Sequence, residues 1–367
     1  MRSLNPAHKP TTCSAPEGTV SAQAAALIYC SDAEPGIRRR RSGRRFRYIG
    51  PDGDRITDPA VLDRIGHLAI PPAWSDVWIS PYPDGHIQAT GRDDRGRKQY
   101  RYHPRWTVFR DEAKYSSLTA FAHTLPRLRR RIETDLRKKG LSAERVIATV
   151  VWLLDRTLIR VGNHAYAHEN NSFGLTTLRD RHANINGSTL RFAFRGKSGK
   201  EWKLKIHDRR IAKIVKGAQD LPGQHLFQYV DADGSRKMIH SHDVNDYIRR
   251  ASKADFSSRH FRTWGGTVRA AKILSQTELP KSKRETAMAM NKAIDIIAAK
   301  LGNTRAVCRK CYIHPLVIDA WLAGRLAGEL NDVEHQLRKP PRGLHRWETL
   351  VLRWLEISEA SQPSQSF

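Results

Sequence analysis

Several short runs in this 367-residue chain could do chemistry, and most fail on spacing. Gly196-Lys197-Ser198 has the ending of a phosphate-binding loop, but that loop needs a glycine five residues earlier, where Arg191 stands. Asp231-Ala232-Asp233-Gly234 has the acids of a Ca²⁺ or Mg²⁺ loop. The twelfth loop position would be His242 rather than Glu, and the flanking apolar runs read as a hairpin turn. Cys308-Arg309-Lys310-Cys311 is a lone C-x-x-C with no second ligand pair nearby, and His240 and His242 read as turn or surface histidines. No paired carboxylates that would hold phosphoryl-clamping metals stand out, so no metal ligand set is expected. What remains is a chemistry of cations and a nucleophile, suited to phosphoryl transfer. Arginine matches phosphate bidentately and stays charged. Lysine donates a proton when neighbouring charge lowers its pKa. Tyrosine can form a covalent intermediate. The chain has many residues of each type, and composition does not choose among them.

The elements that would position these groups are partly legible. Pro59 to Ile70 carries Val61, Leu62, Ile65 and Leu68 at helical spacing, stopped by Pro71-Pro72. Pro51-Asp52-Gly53 and Pro83-Asp84-Gly85 are hairpin-type turns, so about 46–104 reads as a small domain of short strands. Within it Gln99-Tyr100-Arg101-Tyr102 follows a basic run, a pattern that fits a groove-facing strand or alternating core tyrosines. From about Trp106 the character is helical, with Ser142 as N-cap of a helix running to about Ile159. Leu190, Phe192 and Phe194, then Trp202, Leu204 and Ile206, alternate with polar residues around Gly196 to Lys200, which predicts a hairpin with a glycine-rich tip. Met290, Ile294, Ile297 and Leu301 form a helical stripe ended by Gly302. Residues 1 to about 36 read as a flexible tail. Seven arginines between Arg38 and Arg47, without an acid, read as a basic arm that adds salt-dependent phosphate affinity. Beyond about Leu330 the apolar pattern thins into a tail.

Charge narrows the partner. Lys+Arg number 64 against 37 Asp+Glu, a formal net charge of +27 that favours a polyanion. With 39% hydrophobic and 28% charged residues, most of the chain should fold. No stretch of 18 apolar residues is present, and Val20 to Cys30 is interrupted and lacks a basic leader, so neither a membrane span nor a signal peptide is expected. Four cysteines are too few for a disulfide framework, which fits a reducing cytoplasm. The expectation is a cytoplasmic, nucleoid-associated partner of nucleic acid.

Five ordered motifs then carry a resemblance. Leu158-Ile159-Arg160-Val161-Gly162-Asn163, Phe173-Gly174-Leu175-Thr176-Thr177-Leu178, Arg195-Gly196-Lys197, Phe261-Arg262-Thr263-Trp264-Gly265, and Leu301-Gly302-Asn303-Thr304 through Tyr312-Ile313-His314-Pro315 occur in that order. Together they resemble the poxvirus-like type IB DNA topoisomerases, specifically the bacterial members. The likeness runs from about Phe46 to about Gly328 and takes in Ile70-Pro71-Pro72-Ala73-Trp74 and Gly96-Arg97-Lys98-Gln99-Tyr100. Alone, each arginine would be read as an ion-pairing or phosphate-positioning residue, Lys197 as a solvated turn residue, and Tyr312 as core or interface. Order and context set them apart.

By that resemblance Arg160 and Arg262 clamp the scissile phosphate, Lys197 protonates the departing 5′ oxygen, and Tyr312 attacks to leave a 3′-phosphotyrosyl bond. Asn303 stands where the family often has histidine, which implies hydrogen bonding in place of acid–base work. Gln99, Tyr100, Tyr102, Arg259 and Lys200 are expected DNA contacts, Lys200 also being the alternative to Lys197. The implied fold is α+β: a tail with its arginine arm (1–45), a β-rich N-terminal domain (46–104), a mainly α-helical catalytic domain (105–330) of the type IB topoisomerase and tyrosine recombinase kind, and a C-terminal tail (331–367). The two domains would form a clamp around duplex DNA. The implied activity is relaxation of supercoils of either sign by a monomer, with no metal, nucleotide or other cofactor. The alternatives are a tyrosine recombinase, which usually has His where Arg259 stands, and an architectural DNA-binding protein without activity.

Overall fold

The computed structural model describes residues 25–43, 45–337 and 341–361. The chain divides into two units, 1–114 and 115–367.

The first unit is built on a five-stranded antiparallel sheet, ordered β2-β1-β3-β4-β5. Its strands are β1 (Ile37–Ser42), β2 (Arg45–Ile49), β3 (Ser75–Ile79), β4 (Ile87–Arg92) and β5 (Lys98–Tyr102), with helix α1 (Pro59–His67) between β2 and β3. Asp58 caps α1 by accepting the Ala60 N–H, and Ile37, Ile65, Val77, Ile79 and Ala89 form the core beneath. The arginine run is not an arm. Arg38 to Arg41 lie in β1, paired residue by residue with Ile49 to Phe46 of β2, while Arg44 is outside the described residues. Strand alternation explains it. Arg39 turns inward, where its guanidinium donates to the carbonyls of Ile70 (3.3 Å), Pro71 (3.0 Å) and Trp74 (2.6 Å) and stacks 4.2 Å from the Phe46 ring. Arg38, Arg40 and Arg41 remain exposed. Residues 25–36 are also ordered against this unit: Ile28 exchanges backbone hydrogen bonds with Asp84 and His86, and Leu27 packs beside Trp106. The remainder of the expected tail, 1–24, lies outside the described residues.

The boundary between units falls within helix α2 (Pro104–Leu136). In the second unit follow α3 (Ala143–Thr157), α4 (His164–Asn170), β6 (Ala183–Asn186), β7 (Thr189–Arg195), β8 (Glu201–His207), α5 (Arg209–Gln219), β9 (Gln228–Val230) and β10 (Arg236–Met238). Then come α6 (Ser241–Ser252), α7 (Ser258–Ser275), α8 (Lys283–Leu301), α9 (Arg305–Tyr312), α10 (Pro315–Leu322), α11 (Leu326–Gln336) and α12 (Arg346–Ala360). Strands β6-β7-β8 form an antiparallel sheet whose β7–β8 hairpin carries the glycine-rich tip, and Asp231 to Gly234 make the β9–β10 turn. Helix α3 buries Val146, Val150, Leu153 and Leu154, and α8 buries Met290, Ile294, Ile297 and Leu301 before Gly302 ends it in the left-handed region (φ +59°).

The expected C-terminal tail is a correction. In α12, Leu350, Val351, Trp354 and Leu355 are buried in the main core and Trp347 packs against it. These five follow i, i+3, i+4, i+7, i+8 spacing, an apolar stripe along one side of the helix.

Candidate active site

Arg160 is fixed by an unusual exit from α3. Leu158 takes a left-handed conformation (φ +60°), closing the helix with its N–H on the Leu154 carbonyl, 2.8 Å away. The next residues run against the turn at 174–177, where Leu175 N–H donates to Arg160 O (2.9 Å) and Thr176 N–H to Val161 O (2.7 Å). Two glycines permit this approach: a Cβ on Gly174 would stand 2.6 Å from the Gly162 nitrogen, and Gly162 itself has φ +104°. The Arg160 guanidinium, half-buried, donates to Gly302 O (3.2 Å) and to Asn303 Oδ1.

Arg262 comes from the second turn of α7 and is only 4% exposed. Two backbone carbonyls hold it, Leu158 O and Leu301 O, the latter at 2.8 Å. One carbonyl belongs to the exit from α3 and the other to the last residue of α8, so a single guanidinium ties three helices. Its carbon lies 4.9 Å from the centre of the Tyr312 ring. Tyr312 is half-buried at the end of α9, and its backbone rests on Gly266 of α7, where a side chain would strike the Tyr312 carbonyl. Burial by itself would raise the Tyr312 pKa; the positive charges of Arg262 and then Arg160 outweigh it, and the phenol ends below its ordinary value. Within this cluster two buried donors have no protein partner, Arg262 Nε and Asn303 Nδ2. An unsatisfied buried donor costs about 1–3 kcal/mol, so the two together favour an acceptor such as a phosphate oxygen.

Lys197 stands at the exposed tip of β7–β8, its ammonium 5.7 Å from the centre of the Tyr166 ring. It lines a pocket of about 510 Å³ together with Arg160 and Tyr166. Thus Arg160, Asn303, Arg262 and Tyr312 form one connected cluster, and Lys197 shares a pocket with its first member.

The other expected contacts are dispersed. Lys200 lines a different pocket, with Arg269, Lys272 and Lys300, and Arg259 is exposed one turn before Arg262. Gln99, Tyr100 and Tyr102 belong to β5 in the first unit. Tyr100 and Tyr102 are 42% and 46% exposed and stack on each other (5.7 Å), so they are not core, while Gln99 donates to Asp93 (2.9 Å). Of the C-x-x-C, Cys308 is buried, which pushes its thiol up to about 12, and Cys311 is half-buried. Among the described residues no group of three or more His, Cys, Asp or Glu is arranged to hold a metal ion. Sequence reasoning missed Tyr166, the close approach at Gly266 and the Leu158 and Leu301 carbonyls; of these the Gly265-Gly266 pair left a trace in the sequence, since glycine permits close backbone approach.

Residues 103–326, which include the whole cluster, match the family described as eukaryotic DNA topoisomerase I, catalytic core. The chain belongs to the type IB DNA topoisomerases. Residues 45–93 match the bacterial DNA topoisomerase IB N-terminal domain. DNA topoisomerase 1B of Acanthamoeba polyphaga mimivirus is 32% identical over 293 residues, covering 78% of this chain and 87% of that protein. DNA topoisomerase 1B of vaccinia virus (strain Copenhagen) is 20% identical over 281 residues, covering 74% and 84%. DNA topoisomerase 1 of Mycosarcoma maydis is 29% identical over 186 residues, 46% of this chain and 18% of that protein. This type IB topoisomerase is therefore an isomerase of DNA, and none of its described helices is long and apolar enough to cross a membrane.

Proposed function

We propose that the enzyme relaxes positive and negative supercoils by cutting and rejoining one strand of duplex DNA through Tyr312, without metal or ATP. The observation that carries this reading is the Arg262 guanidinium, held by two backbone carbonyls against the face of Tyr312. Tyr312 Oη attacks the scissile phosphorus and loses its proton to solvent, the P–O5′ bond breaks, and the leaving 5′ oxygen takes a proton from Lys197. Arg160 and Arg262 neutralise the non-bridging oxygens, where a preorganised donor is worth about 10²–10³ in rate. Asn303 holds Arg160 through Oδ1 and keeps Nδ2 for an oxygen of the phosphate. The product is a 3′-phosphotyrosyl ester and a free 5′-OH. Because the ester conserves the phosphodiester bond energy, the reverse reaction religates after strand rotation.

Duplex DNA is the substrate, taken by a monomer that draws on contacts from the N-terminal unit and from the catalytic unit. Exposed Tyr100 and Tyr102, Gln99, Arg259 and Lys200 supply contacts outside the reacting phosphate. The net charge of +27 supports a large sequence-independent part of the affinity, in keeping with a nucleoid-associated protein of the cytoplasm.

The test is relaxation of a supercoiled plasmid lacking any recombination site, in EDTA and without ATP, for wild type and Tyr312→Phe. The expected result is relaxation of both signs by the wild type, with a covalent DNA–peptide adduct containing Tyr312, and none by the variant. Tight DNA binding with no adduct in either protein would overturn the proposal and leave an architectural protein. Strand exchange between site-bearing plasmids would indicate a recombinase instead.

A further inference from the structure

Helix α12 lies past residue 326, where the catalytic-core match ends, yet it reaches the back of the cluster at two places. At its first turn, Glu348 is 8% exposed. Its Oε1 accepts from the Trp264 indole N–H (3.2 Å) and from Arg129 Nη2 (2.8 Å), and its Oε2 accepts from Arg129 Nη1 (2.7 Å). Arg129 in turn donates to both carboxylate oxygens of Asp155 on α3, at 2.8 and 2.9 Å. Trp264 is two residues beyond Arg262 on α7. At 3.6 residues per turn such positions face nearly opposite sides of a helix. Glu348 therefore grips the rear of the helix whose front presents Arg262, and through Arg129 the same carboxylate reaches α3, whose exit supplies the Leu158 carbonyl to Arg262.

At the other end, Glu359 approaches His314, two residues beyond Tyr312, with Oε1 3.6 Å from Nε2. His314 is 6% exposed. Its Nδ1 accepts the Leu316 N–H, which leaves the ring proton on Nε2, toward the carboxylate, and its backbone N–H donates to Thr267 of α7 (3.1 Å). The second Glu359 oxygen accepts from Thr119 of α2 (3.5 Å).

We infer that α12 is a positioning element for strand cleavage. Glu348 acts on Arg262 through Trp264, and Glu359 acts on Tyr312 through His314, so that one helix keeps the clamp and the nucleophile in mutual register. The inference rests on the reading of Arg262 and Tyr312 as the reacting pair.

The experiment measures single-turnover cleavage and non-covalent DNA affinity separately, on full-length protein at a temperature where melting curves show each variant folded. Trp264→Phe, Glu348→Leu and Glu359→Ala are each expected to cleave at least about tenfold more slowly with unchanged affinity: the first removes one hydrogen bond to the carboxylate, the second every bond that carboxylate makes, and the third the carboxylate beside His314. Glu348→Gln and Glu359→Gln keep an acceptor oxygen and should restore most of the rate, even where Glu348→Gln lowers the melting temperature. Trp264→Phe combined with Glu348→Leu should be no slower than Glu348→Leu alone, since Glu348→Leu already removes the bond to Trp264. Wild-type cleavage by Trp264→Phe and Glu359→Ala, or a loss of affinity matching the loss of rate, would overturn the inference. Should Glu348→Leu fail to fold, Trp264→Phe and Glu359→Ala still decide it. A covalent adduct that survives Tyr312→Phe would instead overturn the functional reading beneath it.

Discussion

Gly266→Ala separates stability from catalysis in this enzyme. Position 266 lies inside α7, where alanine is favoured over glycine by about 1 kcal/mol. An added Cβ would collide with the Tyr312 carbonyl oxygen and stand 3.3 Å from both the Tyr312 carbonyl carbon and its Cβ. The clash is with backbone, so it is relieved only by moving α9 away from α7. Overpacking of this kind costs about 1–3 kcal/mol, and after the helix-propensity gain the net destabilisation is about 0–2 kcal/mol. The reaction has less tolerance. Displacing a nucleophile by about 1 Å costs on the order of 10²-fold in rate. The variant should therefore melt close to the wild type but form the covalent adduct about a hundredfold more slowly in a single-turnover cleavage assay. Gly328→Ala is the control, because nothing lies within 4 Å of the added carbon; it should be neutral or slightly stabilising and cleave normally. Wild-type cleavage by a folded Gly266→Ala protein would refute the claim that the α7–α9 approach sets the nucleophile.

Further predictions concern individual side chains. Arg160→Ala should slow cleavage by about 10²–10³ and Asn303→Ala by only about tenfold, since Asn303 works largely through Arg160; equal losses in the same assay would reject that division. Lys197→Ala should lose about 10²–10⁴ on ordinary DNA but recover on a substrate whose 5′ bridging oxygen is sulfur, a leaving group that needs no proton; failure to recover would remove Lys197 as the acid. Because the arginines lower the Tyr312 pKa, the alkaline rise in the pH–rate profile should fall below the ordinary tyrosine value of about 10, and Arg262→Lys, which loses the planar contact, should move it upward. Burial raises the Glu348 carboxyl, but its bonds to Arg129 prevail and hold it below the ordinary carboxylate value. Its contribution to stability is thus present in full above about pH 4.5 and lost as pH falls through the lowered value. Glu348→Gln should cost about 2–4 kcal/mol in chemical denaturation at pH 7, with a gap that narrows in acid; a pH-independent gap would contradict the ion pair.

Some of this protein was written in local sequence. The β7–β8 hairpin, α3, α8 with its glycine stop, and the turn at Asp231 to Gly234 depend on periodicity and turn chemistry within short windows, and the structure has them where those signals lie. The arginine strand was hidden because residue counting sees charge and not alternation, whereas the segment leading into β3 gives Arg39 three carbonyl acceptors that no local window supplies. Helix α12 was passed over for a different reason: its stripe is regular, but it stands apart from the ordered motifs and between polar segments. That Arg160, Lys197, Arg262, Asn303 and Tyr312 are candidates could be read from motif order. Their meeting could not, because Leu158, Leu301 and Gly302 act through backbone carbonyls, which every residue has, and Gly162, Gly174 and Gly266 act through side chains they lack. Sequence determined which groups are present; the packing of α3, α7, α8 and α9 decided that Arg262 would lie against the Tyr312 ring and Arg160 beside the end of α8, since only tertiary contact can pair Arg160 with Gly302 or Arg262 with Leu158, more than a hundred residues apart.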